Sequence, residues 1–321
     1  MSEKKKLINP YDELVRSLAV PSNRRPDSQL LGMPSFVWSI DRITVVGTLK
    51  EKIWYQNGIN MFEVNFRQLM HLNEGAHVKP AGIDCWKIVD RFGENICFIE
   101  IVKFREGLGR IDFNPNKISK LLADDMKTFI HRLFLNPHFS RADVACDIIN
   151  IKNDFIRDYR IFEPMKSHFI YGKNGLLETA YWGSRSSERQ IRLYNKYVEQ
   201  RFKNQEIPEH IKTWWRFELQ LRRSKANDWA NVVVESLSKF NNPKFISGAS
   251  NRERLVIKAI IADSSCWDLV SVNSKTKYKK LFNSANDNDI LTKYMIEIFN
   301  LQQGKLKEEL DTWLQGYDVS K

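Results

Sequence analysis

Residues 214–223 read WWRFELQLRR, and their alternation decides the fold class. Trp215, Phe217, Leu219 and Leu221 fall on one side and Arg216, Glu218, Gln220 and Arg222 on the other, the two-residue period of a strand with one face in a core. The same period runs through SRADVACDIIN, residues 140–150: Arg141, Asp143, Ala145 and Asp147 share one face, and Val144, Cys146 and Ile148 the other. Working outward, HFIYG, TAYWGS and QIRLYNKYVE read as three further strands, the first two joined at a turn-forming Asn174-Gly175. Towards the N-terminus, SFVWSIDRITVVGTL is rich in β-branched and aromatic residues, with Gly47 expected to mark a turn. WKIVDRF, NICFIEIVKF and GRIDFNPN continue at the spacing of an antiparallel meander, punctuated by Gly93 and the Gly107/Gly109 pair.

From Lys117 to Phe134 the period changes to three and four residues, which predicts an amphipathic helix ended by Asn136-Pro137. Three more helices are expected at about Asn227 to Phe240, Arg252 to Ala262 and Asp287 to Leu314, the last with a break near Gly304. The expected class is therefore α+β: an antiparallel-sheet-based domain over 35–225, a smaller helical C-terminal module over 226–321, and a flexible arm over 1–34.

The 321 residues carry 50 Lys+Arg against 39 Asp+Glu, a net charge of +11. More than half of that excess lies between Tyr181 and Lys225, where eleven cations face five acids. A second focus is SKTKYKKLF, with Lys275, Lys277, Lys279 and Lys280 around Tyr278. Neither run is an amphipathic helix with a broad apolar face, so polyanions such as nucleic acid rank above a membrane surface. No apolar stretch approaches the roughly 18 residues needed to cross a bilayer. The N-terminus, MSEKKKLINPYDEL, lacks the apolar core of a signal peptide, and a cytoplasmic location is expected. Cys85, Cys97, Cys146 and Cys266 are too scattered for a zinc site or a disulfide framework, and the six histidines form no His-x-His pair. Phosphate-loop, dinucleotide-loop, zinc-protease and nucleophile-elbow signatures are also missing.

What remains is a set of acids, bases and a tyrosine on strands. Asp143 and Asp147 are four residues apart on one face, about 13 Å at strand rise, too far for one ion to bridge. A metal site would need one of them and a carboxylate from a neighbouring strand, for which Glu218 is the natural candidate; such oxygen ligands suit Mg²⁺ or Mn²⁺. The alternative is a salt-bridged face in which Arg141, Arg216 and Arg222 pair with these acids. Tyr194 is flanked by Arg192 and Lys196, which would share its face, favour its phenolate and hold a phosphate.

Taken together, GRIDFNPNKI, FSRADVACD, the Y-x-G-S-R-x-S segment at Tyr181, I-R-x-Y-N-K at Ile191 and W-R-x-E at Trp215 resemble the Rep_trans family of plasmid rolling-circle replication initiators. The resemblance implies a site-specific DNA nickase and strand transferase that keeps a covalent phosphotyrosine link and rejoins the strand. The family tyrosine falls on Tyr194, with Arg192 and Lys196 as its catalytic cations. Asp143 and Glu218 become the leading metal ligands for Mg²⁺ or Mn²⁺, Asp147 a third, and Asp112 occupies a position that tends to be acidic. Arg185 and Arg189 would contact the nicked single strand, and Lys275, Lys277, Lys279 and Lys280 double-stranded plasmid origin DNA. A homodimer and a host UvrD-like helicase are the partners implied. The reading that competes with the enzyme is a non-catalytic, sequence-specific DNA-binding regulator on the same scaffold.

Overall fold

The computed structural model describes residues 34–50, 55–56, 59–60, 75–101, 107–161, 165–243, 246, 248–284 and 290–315. All but the last residue of the expected N-terminal arm lies outside the described residues. The centre is a ten-stranded sheet of β1 (Ser35–Leu49), β2 (His77–Gly82), β3 (Cys85–Val89), β4 (Asn95–Ile101), β5 (Leu108–Phe113), β6 (Phe134–Ile149), β7 (Ser167–Tyr171), β8 (Leu177–Trp182), β9 (Arg189–Asn195) and β10 (Trp214–Arg222). The spatial order is β7-β8-β9-β10-β6-β1-β5-β4-β3-β2, with every neighbouring pair antiparallel.

This order has a two-fold logic. Each of two long strands, β1 and β6, is followed by a four-strand meander whose last strand returns to pair with it, and β1 and β6 pair with each other at the centre. On the returning strands, β5 carries Arg110-Ile111-Asp112 where β10 carries Arg216-Phe217-Glu218. Their neighbours differ. Arg110 and Asp112 face Glu100 and Phe98 on β4, whereas Arg216 and Glu218 face Tyr194 and Arg192 on β9. Only the second half sets a tyrosine and an arginine beside its acid.

One face of the sheet is apolar and covered by helices α1 (Lys120–Leu133), α3 (Trp229–Ser238) and α6 (Ile290–Leu314), which share a single core with the strands. Helix α1 starts where the Ser119 hydroxyl accepts from Leu122 N and turns Leu122, Met126, Phe129, Ile130 and Leu133 inward. Each such fully buried side chain contributes about 1.5–3 kcal/mol. The Trp38 indole of β1 donates to the Met295 carbonyl of α6 at 3.2 Å, and Phe113 packs on Trp313 at 4.6 Å between ring centroids. Between α3 and α6, α4 (Asn251–Ala262) and α5 (Val272–Ser284) close over a separate small cluster of Ile246, Ala249 and Ile257, with Tyr278 and Leu281 packed against it. Among the described residues no helix is long and apolar enough to cross a membrane.

Several local expectations are corrected. Gly47 is no turn: β1 continues through it opposite Gly109 of β5, with a shift of register against β6, and a Cβ at either residue would meet Phe134 at 2.7 or 2.6 Å. The pair is there so that the Phe134 ring can lie across the sheet. The helix ends at Leu133 and not at Asn136-Pro137, because Phe134 already begins β6; Asn136, at φ 49°, only bends that strand. Helix α6 continues unbroken through Gly304, held on both sides by buried Phe299, Leu306 and Leu310. Strand β2 went unread because it is an edge strand containing Pro80, nearly all exposed and so without alternation.

Candidate active site on the polar face of the sheet

The second face of the sheet holds the polar residues of the alternating strands. In the β9–β10–β6 ladder, Tyr194 stands opposite Arg216 and Arg216 opposite Asp147; the next row is Arg192, Glu218 and Ala145, and the one after Gln190, Gln220 and Asp143. The strand period thus lays Tyr194, Arg192, Glu218 and Asp143 on one surface from three segments far apart in sequence.

Tyr194 is almost fully buried, at 3% exposure. The Arg192 guanidinium lies 3.7 Å from its ring centroid, and Lys196 Nζ donates to its hydroxyl at 3.3 Å. Lys196 does not continue the strand, as expected from QIRLYNKYVE; it opens α2 (Lys196–Phe202), capped by Asn195, whose side chain accepts from Val198 N. The turn into the helix brings Nζ back over the tyrosine, where it also pairs with Glu199 at 2.7 Å. The anticipated easing of ionisation is absent in the free protein. Burial pushes the Tyr194 pKa above its ordinary value; Arg216 and Arg192 oppose this, and Glu218 and Glu199 add to it.

The acids are heavily engaged by arginines. Asp143, 2% exposed, accepts Arg141 Nε and Nη2 at 2.8 and 2.6 Å. Burial nevertheless pushes its pKa up to about 7, against the pull of Arg141 and with help from the Glu218 charge. Glu218 is likewise raised by burial, Arg192 pulling the other way from 3.8 Å. Asp147 takes three donors: Arg216 Nε and Nη2, both at 2.7 Å, and Trp214 Nε1 at 2.8 Å. The salt-bridged alternative therefore describes Asp147 and Asp143 well, each held by a two-pronged arginine, while among the described residues Glu218 has one long ion pair, to Arg192.

Two participants had no signal in the alternation. A β-bulge between Ile40 and Arg42 turns both Asp41 and Arg42 onto this face. Asp41 accepts Arg216 Nη1 at 2.8 Å, and Arg42 reaches Asp112 at 2.6 Å, with Thr44 donating to the same carboxylate at 2.9 Å. One expected DNA contact, Arg189, stands apart from Tyr194. Arg189 belongs to the helix-facing set of β9 and donates to Ser236 of α3 at 3.1 Å, so it lies across the sheet from Tyr194. Arg185 is exposed on the loop before β9. In α5, Lys277 is tied to Glu253, while Lys279 and Lys280 are exposed and Lys275 is half-buried.

Residues 137–279 match the family Rep_trans, replication initiation factor. The matched stretch runs from β6 into α5, taking in Asp143, Tyr194, Glu218 and the first lysines of α5, and leaves β1 to α1 outside. A replication initiation protein of Staphylococcus aureus is 29% identical over 215 residues, covering 66% of this chain and 66% of that protein. A second from the same organism is 28% identical over 210 residues, 65% of each chain, so the match spans just under two thirds of the length of these relatives. Another is 27% identical over 307 residues, covering 92% and 90%. The solved structure of a rolling circle replication initiator protein from Geobacillus stearothermophilus is a looser likeness, with TM-score 0.42, 16% identity and coverage of 68% of this chain and 91% of that one.

Proposed function

We propose that this protein, like the replication initiators it resembles, initiates plasmid rolling-circle replication by nicking one strand of the origin with Tyr194. The observation that carries the reading is a buried phenol bonded by Lys196 and overlain by Arg192, next to Glu218 and Asp143 on adjoining strands. Arg192 also keeps Nε buried without a hydrogen-bond partner among the described residues, a donor left over for a phosphate oxygen. Tyr194 Oη loses its proton and attacks the scissile phosphorus; the P–O bond to the 3′ oxygen breaks, that oxygen leaves as a hydroxyl, and the 5′ phosphate stays on the tyrosine. Lys196 and Arg192 take up the developing charge. Reversal by a 3′ hydroxyl rejoins the strand with no nucleotide consumed, because the phosphotyrosine ester conserves the bond.

Asp143 and Glu218 are the groups that would hold Mg²⁺ or Mn²⁺. They supply hard oxygen donors, and both have pKa values raised by burial, a strain that a cation would relieve. The three-carboxylate set is not assembled: among the described residues no three His, Cys, Asp or Glu side chains gather as a metal cage, and Asp147 is committed to Arg216 and Trp214. When bound, the ion would neutralise charge on the scissile phosphate. Glu218→Ala is expected to lower nicking of a supercoiled origin plasmid at least about a hundredfold, the several kcal/mol of that neutralisation. It is also expected to abolish Mg²⁺ binding by calorimetry, and normal binding would remove Glu218 from the ligand set.

Cation binding also requires the Asp143 proton to leave. With its folded pKa near 7, Mg²⁺ affinity should rise as pH increases through 7, and binding at pH 6.5 should release protons, measurable as a buffer-dependent heat. The Asp143→Asn protein should release fewer. The same shift has a sign for stability: a carboxyl raised in the folded state favours folding most below its unfolded pKa, near 4, and that contribution is lost as pH climbs towards 7.

The test that separates the enzyme from a non-catalytic regulator is incubation with supercoiled origin DNA and Mg²⁺, read on denaturing gels. A covalent protein–DNA adduct is expected; salt-sensitive binding without one would leave only the regulator.

A further inference from the structure

We propose that Arg141, Arg222 and Arg42 form a second phosphate site, which holds the cut single strand about 20 Å from Tyr194 along β10. The identity of the ligand rests on the nicking reading; the existence of an anion site does not.

Arg222 and Arg141 stand directly opposite each other in the β10–β6 ladder, on the same polar face as Tyr194. Like charges in that position destabilise a sheet. An acid between them would cancel the cost, but the local acceptors are divided otherwise. Arg141 spends Nε and Nη2 on Asp143, and Arg222 donates only to neutral oxygens, the Ser187 carbonyl at 3.1 Å and the Gln220 side chain. Among the described residues Arg222 makes no ion pair. Burial and then the Arg141 charge lower its pKa below the ordinary guanidinium value; Asp143 opposes this in part, and Arg42 adds to it. Arg42 comes from β1 at the register position opposite Asp143; it uses Nε on Asp112, and its side chain stays 46% exposed. Three guanidiniums from three adjoining strands thus share one face around Asp143 and act on one another electrostatically, a repulsion that a phosphate would reduce.

The cluster is continuous with the Tyr194 site. Six residues of β10 connect the row of Arg216 to Arg222, and Arg222 N donates to the Glu188 carbonyl at 2.8 Å, joining the cluster to the loop that carries Arg185. Tyr194, Arg192 and Arg222 lie on one face along one strand direction, a line that the backbone of a single strand would follow.

The experiment uses the full chain carrying Tyr194→Phe, in EDTA, so that no strand is cut. Binding of a fluorescent single-stranded oligonucleotide is measured by anisotropy over a range of NaCl concentrations. Each phosphate contact contributes about 0.7 to the slope of log K against log salt for single strands. Adding Arg222→Gln should flatten the slope by about 0.7, and Arg42→Gln should do the same. If neither changes it, the proposal is wrong. Arg42→Gln decides the matter alone if Arg222→Gln does not fold, because the Arg42 side chain is nearly half exposed. A change on duplex DNA without one on single strands would overturn the assignment to the cut strand. Failure of the nicking reading would appear separately, as no adduct from protein retaining Tyr194.

Discussion

Tyr194→Phe is expected to abolish the covalent protein–DNA adduct and to reduce nicking of a supercoiled origin plasmid by at least about a thousandfold, as loss of a nucleophile does in other covalent enzymes. The fold should survive, because the ring keeps its place between Arg192 and the neighbouring strands and loses only the bond from Lys196. A persisting adduct would transfer the nucleophile to another residue. In the unsubstituted protein the nicking rate should climb with pH across the neutral and mildly alkaline range, since burial holds the Tyr194 pKa above its ordinary value. A plateau well below that value would mean that bound DNA or metal supplies the positive potential that the free protein lacks.

The largest expected effect on stability comes from Gly47→Val. A Cβ at Gly47 would lie 2.7 and 2.8 Å from Phe134 Cβ and Cγ and 3.1 Å from the Leu135 carbonyl oxygen. The obstruction is the root of a buried side chain and backbone, so no rotamer change relieves it. Strand β1 must bend away from β6, and about 3 kcal/mol should be lost, seen as a Tm lower by roughly 5 °C or more. Gly304→Ala is the contrasting substitution. Nothing lies within 4 Å of a Cβ there, and in mid-helix alanine should add about 0.5–1 kcal/mol. Equal costs at the two glycines would show that the Phe134 packing is not what requires Gly47.

The period-two reading found β10, the second half of β6 and the strand part of β9 and assigned their faces; the pairing that puts Asp143, Tyr194 and Glu218 on one surface came from the fold. It worked because a half-buried strand must alternate. It failed where another constraint replaced alternation: at Gly47, where a ring crosses the sheet; at β2, which is exposed on both sides; and at Lys196, where the chain turns into a helix. The bulge at Asp41 hid two further members of the site, since an extra residue breaks the period it is read from.

By itself, then, the sequence determined the α+β class, the identity of the chemically capable residues, and the concentration of positive charge around Tyr194, because these follow from residue type and local periodicity. Only the tertiary structure decided how that charge is used. Pairing β10 with β6 sets Arg216 against Asp147 and Arg222 against Arg141, so one arginine is spent on an acid and another is left facing its like. The two-fold strand order, with Tyr194 and Arg192 in one half and Glu100 and Phe98 in the other, is equally invisible in a linear chain. Which side chains meet across a sheet depends on register between segments as much as 175 residues apart, as Asp41 and Arg216 are, and no local pattern encodes that separation.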